Sequence, residues 1–264
     1  MIQAEGIFTG GATKPYIEET YDSDGNLIDV KLHGYTKIRD YAFSECYDLA
    51  LTSLPDEIVS IGNNAFRACF SLALTSLPAG ITSIGGGAFY NCSNLALTSL
   101  PSGITIIENA AFYDCTNLAL TNLPSGITRI GHETFYGCAN LALTTLPDDI
   151  TSIEDSAFEQ CENLALTNLP DRLTSIGGYA FAGCYNMTLT SIPSGVTSIG
   201  IRSFVACNGL TSLTFMGTPT SIESNAFEFC ENLTTINVPW AEGAVANAPW
   251  GATNAKINYN YTGG

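Results

Sequence analysis

The sequence predicts a repeat solenoid, a curved stack of short parallel strands with short helical or 3₁₀ turns, capped at both ends. The first observation is the cysteine spacing: the nine cysteines of this 264-residue chain follow one another at intervals of 23 residues, from Cys46 to Cys230. The second is a phenylalanine three residues before every cysteine, from Phe43 to Phe227. Self-similarity at a fixed period of this length is typical of stacked repeat architectures.

Charge and composition exclude several classes of function. The chain has 9 Lys and Arg against 25 Asp and Glu, a formal net charge of −16. Phosphate backbones are bound mainly through Lys and Arg, so we expect no nucleic-acid partner. No stretch approaches the roughly 18 apolar residues of a membrane helix, and residues 1–5 lack the features of a secretory signal. We therefore expect no membrane insertion, and a cytoplasmic or particle-associated protein unless another export route operates.

One repeat reads as two short strands and a turn. Leu95 and Leu97 alternate with a small residue, and residues 81–84 form a β-branched run, so both predict strands of about three to five residues. The Phe and Cys of each copy lie at i and i+3, on one face of a helical or 3₁₀ turn. Because one repeat cannot bury its apolar positions alone, we expect neighbouring repeats to stack identical side chains into continuous ladders.

The repeat resembles that of a known family. The pattern Leu-x-x-Leu-Pro, Ile-Thr-Ser-Ile-Gly and Ala-Phe-x-x-Cys-x-Asn-Leu, followed in residues 97–118 with Ile106 and Glu108 in its middle part, is similar to the BspA-like leucine-rich repeats of bacterial proteins. The resemblance covers residues 35–238 and implies a leucine-rich-repeat solenoid. It also implies a surface or secreted adhesion module that binds host proteins. Most copies place apolar residues three, five and eight after the Cys, whereas the family uses three, six and eight, and this departure affects the predicted course of the first strand.

The predicted organisation has three parts: an N-terminal cap with a β-hairpin (1–34), a solenoid of nine 23-residue repeats (35–238) and a C-terminal cap (239–264). The hairpin strands are predicted at 16–21 and 27–32, joined by a turn rich in Asp, Gly and Asn. An open stack needs caps, so we expect Trp240 and Trp250 to cover the last repeat, followed by a closing strand at 255–261.

The potentially reactive residues do not form a recognisable catalytic or metal-binding set. The number of cysteines is odd, no Cys-x-x-Cys occurs, and each Cys shares a face with a Phe, which predicts buried, reduced, structural thiols. Only His33 and His132 could join thiolates at a zinc site, and they lie far apart in the chain. Residues 22–26 resemble the start of a calcium loop, but Leu27 and His33 stand where such a loop needs Gly and Glu. We predict no enzyme, no cofactor and no metal.

Exposed positions that vary between repeats give the candidate binding surface. Tyr90, Tyr113 and Tyr136 stand two residues before consecutive cysteines and predict an outward aromatic stripe. The alternative interpretation is that these rings only shelter the turn against its neighbours. Pairs such as those at 52–53 and 167–168 repeat almost unchanged as Thr-Ser or Thr-Asn, which favours a structural polar ladder over a glycan-binding surface.

These observations predict a non-enzymatic recognition or cell-adhesion protein. It would bind another protein or a surface glycan through the exposed face of the solenoid. The alternative is a structural component or decoration of a larger particle, such as a phage or secretion-related assembly, with no selective ligand.

Overall fold

Parallel strands stacked at a 23-residue step form the fold, as the sequence predicts. The computed structural model describes residues 8–10 and 16–263. The chain divides into two units, Met1–Ile127 and Thr128–Gly264. The strands are β1 (Phe8–Gly10), β2 (Tyr16–Tyr21), β3 (Leu27–His33), β4 (Tyr35–Ile38), β5 (Ser60–Ile61), β6 (Ser83–Ile84), β7 (Ile106–Ile107), β8 (Arg129–Ile130), β9 (Ser152–Ile153), β10 (Ser175–Ile176), β11 (Ser191–Ile192), β12 (Ser198–Ile199), β13 (Ser212–Phe215), β14 (Ser221–Ile222), β15 (Thr235–Asn237) and β16 (Lys256–Asn258).

The first unit contains a five-stranded sheet in the order β1-β4-β5-β6-β7. Strands β4 to β7 are parallel, and Ser60 lies opposite Lys37 on one side and Ser83 on the other, each one repeat away. Strand β1 pairs antiparallel with β4 at the sheet edge. The predicted hairpin is confirmed as the antiparallel pair β2–β3. Its turn is held by Asp22, whose Oδ1 accepts hydrogen bonds from the N–H groups of Asp24 and Asn26 at 2.9 and 2.8 Å.

The second unit contains two parallel sheets, β14-β12-β10-β9-β8 and β11-β13-β15-β16. Strand β16 extends the second sheet within the predicted closing segment. Trp240 and Trp250 are buried, and their ring centroids lie 5.3 and 6.2 Å from that of Phe215. The two indoles therefore cover apolar surface at the last repeats. The division at residues 34/35 and 238/239 stays a prediction.

Ladders of identical side chains form the core of each unit. Consecutive phenylalanine rings stack nearly parallel, with centroid distances from 5.3 to 5.5 Å along Phe43, Phe66, Phe89 and Phe112. In the second unit the distances run from 5.1 to 5.6 Å between Phe135 and Phe227. These rings are buried, so each ring excludes water from the two beside it.

The segment predicted as a helical or 3₁₀ turn has the expected i to i+3 hydrogen bonds but also left-handed residues. In the second repeat the N–H of Cys69 donates to the carbonyl of Phe66 at 3.1 Å. Asn64 and Ala68 have φ angles of 51° and 57°. These residues turn alternate N–H groups toward the next repeat, so that Phe66 N donates to Ala88 O at 2.8 Å. The turn is therefore hydrogen-bonded across repeats as well as within one.

The first strand predicted in each repeat is absent from most repeats with the apolar spacing three, five and eight. The repeat after Cys184 has the same spacing and forms only the two-residue strand β11. Leu95 and Leu97 are both buried, and between them only the N–H of Ala96 joins the preceding repeat, at 3.1 Å from Leu74 O. One such bond per repeat does not make a strand. A strand does form as β13, where the spacing is three, six and eight and the chain is extended over four residues.

The position after each strand's buried isoleucine is a close approach between repeats. A Cβ built on Gly85 would lie 2.6 Å from the backbone of Gly62 and Asn63, inside any normal contact distance. Within each unit, at least one of any two neighbouring repeats has a glycine at this position. The residues at this position are Arg39, Gly62, Gly85 and Glu108 in the first unit, and Gly131, Glu154, Gly177, Gly200 and Glu223 in the second.

We expect Gly85→Ala to destabilise the first unit by about 1–3 kcal/mol, because the added methyl group must push two backbones apart. Gly103→Ala is the matched control, since its Cβ would meet nothing nearer than Ile81 O at 3.6 Å. That change should be neutral or stabilise by up to about 1 kcal/mol. Urea denaturation of both variants checks this, and equal effects would refute the close-approach argument.

Candidate functional site

Two of the three predicted tyrosines lie together on the turns of the first unit. The rings of Tyr90 and Tyr113 are half-buried and stack at a centroid distance of 4.3 Å with 4° between their planes. The Arg67 guanidinium lies 5.5 Å from the Tyr90 ring centroid and pairs with Glu45 at 3.0 Å. Since Arg67 and Tyr113 belong to the repeats on either side of Tyr90, its two ring faces are covered by these neighbours. We call Arg67, Tyr90 and Tyr113 the aromatic column.

Tyr136 occupies the same repeat position in the second unit. Its side chain is half-buried, and its N–H donates to Glu133 O at 3.2 Å. The next residues at this position in that unit are Glu159, Ala182, Val205 and Glu228. The row therefore changes from aromatic to acidic and small side chains while the buried Phe beside it stays constant.

A second exposed aromatic pair was not predicted from the sequence. Tyr47 and Phe70, each directly after a cysteine, stack at 5.4 Å with 12° between the planes. Both rings are exposed. The sequence contains a signal that predicts this pair. The two aromatic residues are one 23-residue step apart, at a position that is polar in most later repeats.

The strand face of the first unit carries a groove of about 730 Å³ that crosses four repeats. Small residues make its floor: Ser60 and Gly62 in one repeat, and Ser83 and Gly85 in the next. Larger residues bound it, with Lys37, Arg39 and Tyr41 at one end and Ile106 and Glu108 at the other. We call this cavity the strand-face groove. The corresponding cavity of the second unit is smaller, about 400 Å³, and is lined by His132, Glu154 and Asp155 but by no tyrosine or phenylalanine.

Some side chains that line the strand-face groove are hydrogen-bonded to other residues of the protein. Others have no such partner in residues 16–263 and could contact a ligand. Asp40 Oδ1 accepts the N–H of Asn63, and Asn63 Oδ1 accepts the N–H of Gly86, both at 2.7 Å. Lys37 makes no ion pair within residues 16–263, whereas Lys31 pairs with Glu18 and Arg67 with Glu45. The hydroxyls of Ser60 and Ser83 likewise make no hydrogen bond in that part of the chain.

The thiols have a structural role, as predicted. In successive repeats the Sγ of one cysteine donates to the carbonyl of the phenylalanine in the preceding repeat, as from Cys92 to Phe66 at 2.9 Å and from Cys184 to Phe158 at 3.1 Å. Burial raises the pKa of the Cys69, Cys92, Cys161, Cys184 and Cys207 thiols, and that of Cys230 to about 12. Cys46, in the first repeat, is half-exposed. A protonated, buried thiol is a poor nucleophile and a poor metal ligand.

The polar ladder predicted at residues 52–53 and onward is exposed, but the threonines that bond across repeats lie elsewhere. In the second unit Thr151, Thr174 and Thr197 each donate a hydroxyl hydrogen bond to the carbonyl of the threonine one repeat before, at 2.9 to 3.2 Å. Their position is directly before the strand serine. Each of these carbonyls also accepts the backbone N–H of the same threonine, so the hydroxyl adds a second hydrogen bond between the repeats.

Neither a metal cluster nor a membrane-spanning helix is found in the part of the chain that the structure describes. No three His, Cys, Asp or Glu side chains of residues 8–10 and 16–263 are grouped as metal ligands would be. In the same residues, no helix has the length and hydropathy needed to cross a bilayer.

Invariant buried ladders beneath variable exposed rows define a repeat solenoid of the protein-interaction or adhesion type. The chain belongs to the family of BspA type leucine-rich repeats, whose six-copy region matches residues 36–165 and 128–242. Proteins of this family and fold are generally non-enzymatic.

Solved structures support the same fold. A leucine-rich repeat protein from Bacteroides ovatus is 20% identical, with 92% of this chain and 75% of that chain covered and a TM-score of 0.59. The pneumococcal vaccine antigen PcpA is 17% identical, with 86% and 71% covered and a TM-score of 0.50. At these identities the likeness concerns the fold alone. The comparison with curated proteins gave no match.

Proposed function

We propose that this protein is a non-enzymatic recognition scaffold that binds a protein partner through the aromatic column, Arg67, Tyr90 and Tyr113, with Tyr136 as a further contact. The proposal rests on the contrast between two adjacent positions of the repeat. The buried Phe is constant in every repeat, while the residue directly after it varies. Variation at a half-buried surface position beside an unchanged core is what a recognition surface permits.

Stacking prepares the column for binding. The Tyr90–Tyr113 stack and the guanidinium above it hold three long side chains in one arrangement. Tyrosine and arginine are enriched at binding hot spots, and a side chain that is already ordered loses little entropy when a partner packs against it. Since both faces of Tyr90 are covered, its ring edge and hydroxyl remain for contact, which suits a protein surface better than a sugar stacked on the ring.

The buried thiols support a non-enzymatic function. Their raised pKa values leave them protonated at neutral pH, so they cannot serve as nucleophiles.

We expect the double variant Tyr90→Ser, Tyr113→Ser to lose its partner while remaining folded. Wild type and each variant would be immobilised and incubated with a preparation of surface proteins from epithelial cells. The amount of each captured protein would then be compared between wild type and the variants. Tyr185→Ser is the matched control, because Tyr185 is an exposed tyrosine of the second unit outside the row. Proteins held by wild type and control but reduced about tenfold or more with the double variant would support the proposal.

Capture of the same proteins by all three chains would contradict the role of the aromatic column. Capture of nothing by any of them would contradict the recognition function and favour the structural alternative.

A further inference from the structure

The strand-face groove has a limited length and a defined end. Four repeats line it, so its three intervals at about 4.8 Å give a length of about 14 Å. At one end Ile106, 48% exposed, stands in the row occupied by Ser60 and Ser83 in the two preceding repeats. At the other end the same row carries Lys37. The groove thus suits a short, extended ligand rather than a continuous polymer.

Tyr41 forms a wall of the groove at an energetic cost to the fold. Its φ is 59°, in the left-handed region, which is unfavourable for a bulky residue by roughly 1–2 kcal/mol. Its ring is 63% exposed and stacks on no other ring in residues 16–263. Glycine or asparagine would take this backbone conformation more easily. The same left-handed φ recurs at this position in the following repeats, from Asn64 to Arg202, so the conformation belongs to the repeat. What makes Tyr41 a candidate for function is its exposed ring, which gives the core little.

The groups left for a ligand on the floor and end wall are two hydroxyls and one ammonium. The Ser60 and Ser83 hydroxyls can each donate and accept a hydrogen bond, and Lys37 can pair with an anion. The amide and carboxylate of Asn63 and Asp40 are held in the repeat-to-repeat hydrogen bonds and fix the wall beside them.

An extended peptide fits this surface poorly. Strands β5 and β6 are hydrogen-bonded to neighbours on both sides, so the groove lies on a sheet face and offers no strand edge for a peptide to join. A peptide lying here would leave its N–H and C=O groups without backbone partners, which is unfavourable. Sugar hydroxyls, by contrast, match serine hydroxyls as combined donors and acceptors, and the apolar face of a sugar ring can pack on an exposed aromatic ring.

We propose that the strand-face groove binds a short acidic oligosaccharide. Its carboxylate pairs with Lys37, its hydroxyls bond to Ser60 and Ser83, and its apolar ring face packs against Tyr41. This site goes beyond the protein-binding function proposed for the aromatic column, because Lys37, Ser60 and Ser83 lie on strands β4, β5 and β6. Tyr41 is a turn residue that also borders Arg67 and Tyr90, but it is not part of the column.

The test measures binding of sialyllactose, of a hexuronate trimer and of neutral lactose to the full chain by titration calorimetry. We expect at least one acidic sugar to bind at least about tenfold more tightly than lactose, because lactose lacks the charge-assisted contact with Lys37. Lys37→Gln should abolish this preference. If sialyllactose alone binds, the ligand is a sialylated oligosaccharide. If the hexuronate alone binds, the ligand is a short oligomer of uronic acids.

Tyr41→Gly separates binding from folding. This variant should lose acidic-sugar binding about tenfold or more while its thermal stability stays equal or rises, because the substitution relieves the left-handed strain. Tyr179→Gly is the matched control, since Tyr179 has a φ of 56° at the same repeat position of the second unit, and it should leave binding unchanged.

Unchanged binding by Tyr41→Gly, equal binding of lactose and both acidic sugars, or no binding of any sugar would overturn the proposal. The Tyr90 and Tyr113 variant should bind the sugar normally, so the failure of one proposal does not imply failure of the other.

Discussion

Raising the pH above about 9 should unfold the second unit within roughly one to three pH units, because its core contains ladders of protonated thiols. Cys161, Cys184, Cys207 and Cys230 are buried, and burial raises the pKa of each, that of Cys230 to about 12. In the unfolded chain the same thiols titrate near the ordinary value of about 8.5.

Stability falls as the pH rises because the unfolded chain loses its thiol protons at a lower pH than the folded unit. Below the unfolded pKa both states hold the thiol proton, and the stabilisation is fully present. As the pH rises toward the folded pKa, the unfolded chain releases protons that the folded unit keeps, so each thiol removes about 1.4 kcal/mol of stability per pH unit. Four thiols together remove about 5 kcal/mol per pH unit, against a typical domain stability of about 5–15 kcal/mol.

Guanidinium denaturation at a series of pH values from 8 to about 11 measures this slope. The matched variant is Cys184→Ala, Cys207→Ala, which should be less stable at pH 8 but lose stability more slowly, by about 3 kcal/mol less per pH unit. Tyrosine ionisation affects both chains equally, so the difference reports the thiols. Identical slopes for the two chains would show that these thiols do not control alkaline unfolding.

The sequence predicts the core more completely than the strands. A Phe and a Cys that recur at a constant step must stack on their own counterparts, and the Phe158 and Cys161 ladders follow directly. The strand predicted at Leu95 and Leu97 fails because apolar alternation records which side chains are buried, not how many backbone bonds reach the next repeat. Only one bond forms there, from Ala96.

The candidate sites include contacts and a cavity that residue type alone does not predict. The sequence predicts the Tyr90 and Tyr113 pair from their 23-residue spacing, although both rings are half-buried rather than exposed. It does not predict the Arg67 contact, since an arginine does not belong to an aromatic pattern. The strand-face groove depends on the contrast between Ser60 and Ser83 and the larger Lys37 and Ile106 beside them. That contrast becomes a cavity only when the register places the four residues side by side. The left-handed φ of Tyr41 has a signal only in the following repeats, where Asn64 and Gly87 occupy the same position.

Removing one ring from the phenylalanine ladder should be the most damaging single truncation in the second unit. Phe158 is fully buried, and its ring stacks on Phe135 at 5.5 Å and on Phe181 at 5.6 Å. Phe158→Ala opens a cavity between two repeats that the flanking rings cannot fill, because each is also stacked on its other side or held by its own repeat. We expect a loss of about 3–5 kcal/mol in the free energy of unfolding.

Phe229→Ala is the matched control for this truncation, since the same side chain is lost from the same unit. Phe229 is 64% exposed and has a φ of 58°, so its ring gives the core little and its backbone is strained. We expect a change within about 0.5 kcal/mol.

Denaturation at neutral pH compares the two variants, and a double-mutant cycle of Phe158→Ala with Phe181→Ala isolates the ring-to-ring contribution, expected at about 0.5–1.5 kcal/mol. A large coupling means that neighbouring repeats stabilise each other through direct ring contact, so that damage in one repeat weakens the next. Equal losses from Phe158→Ala and Phe229→Ala would mean instead that stability is set within each repeat, and the ladder would then be a consequence of the fold rather than its cause.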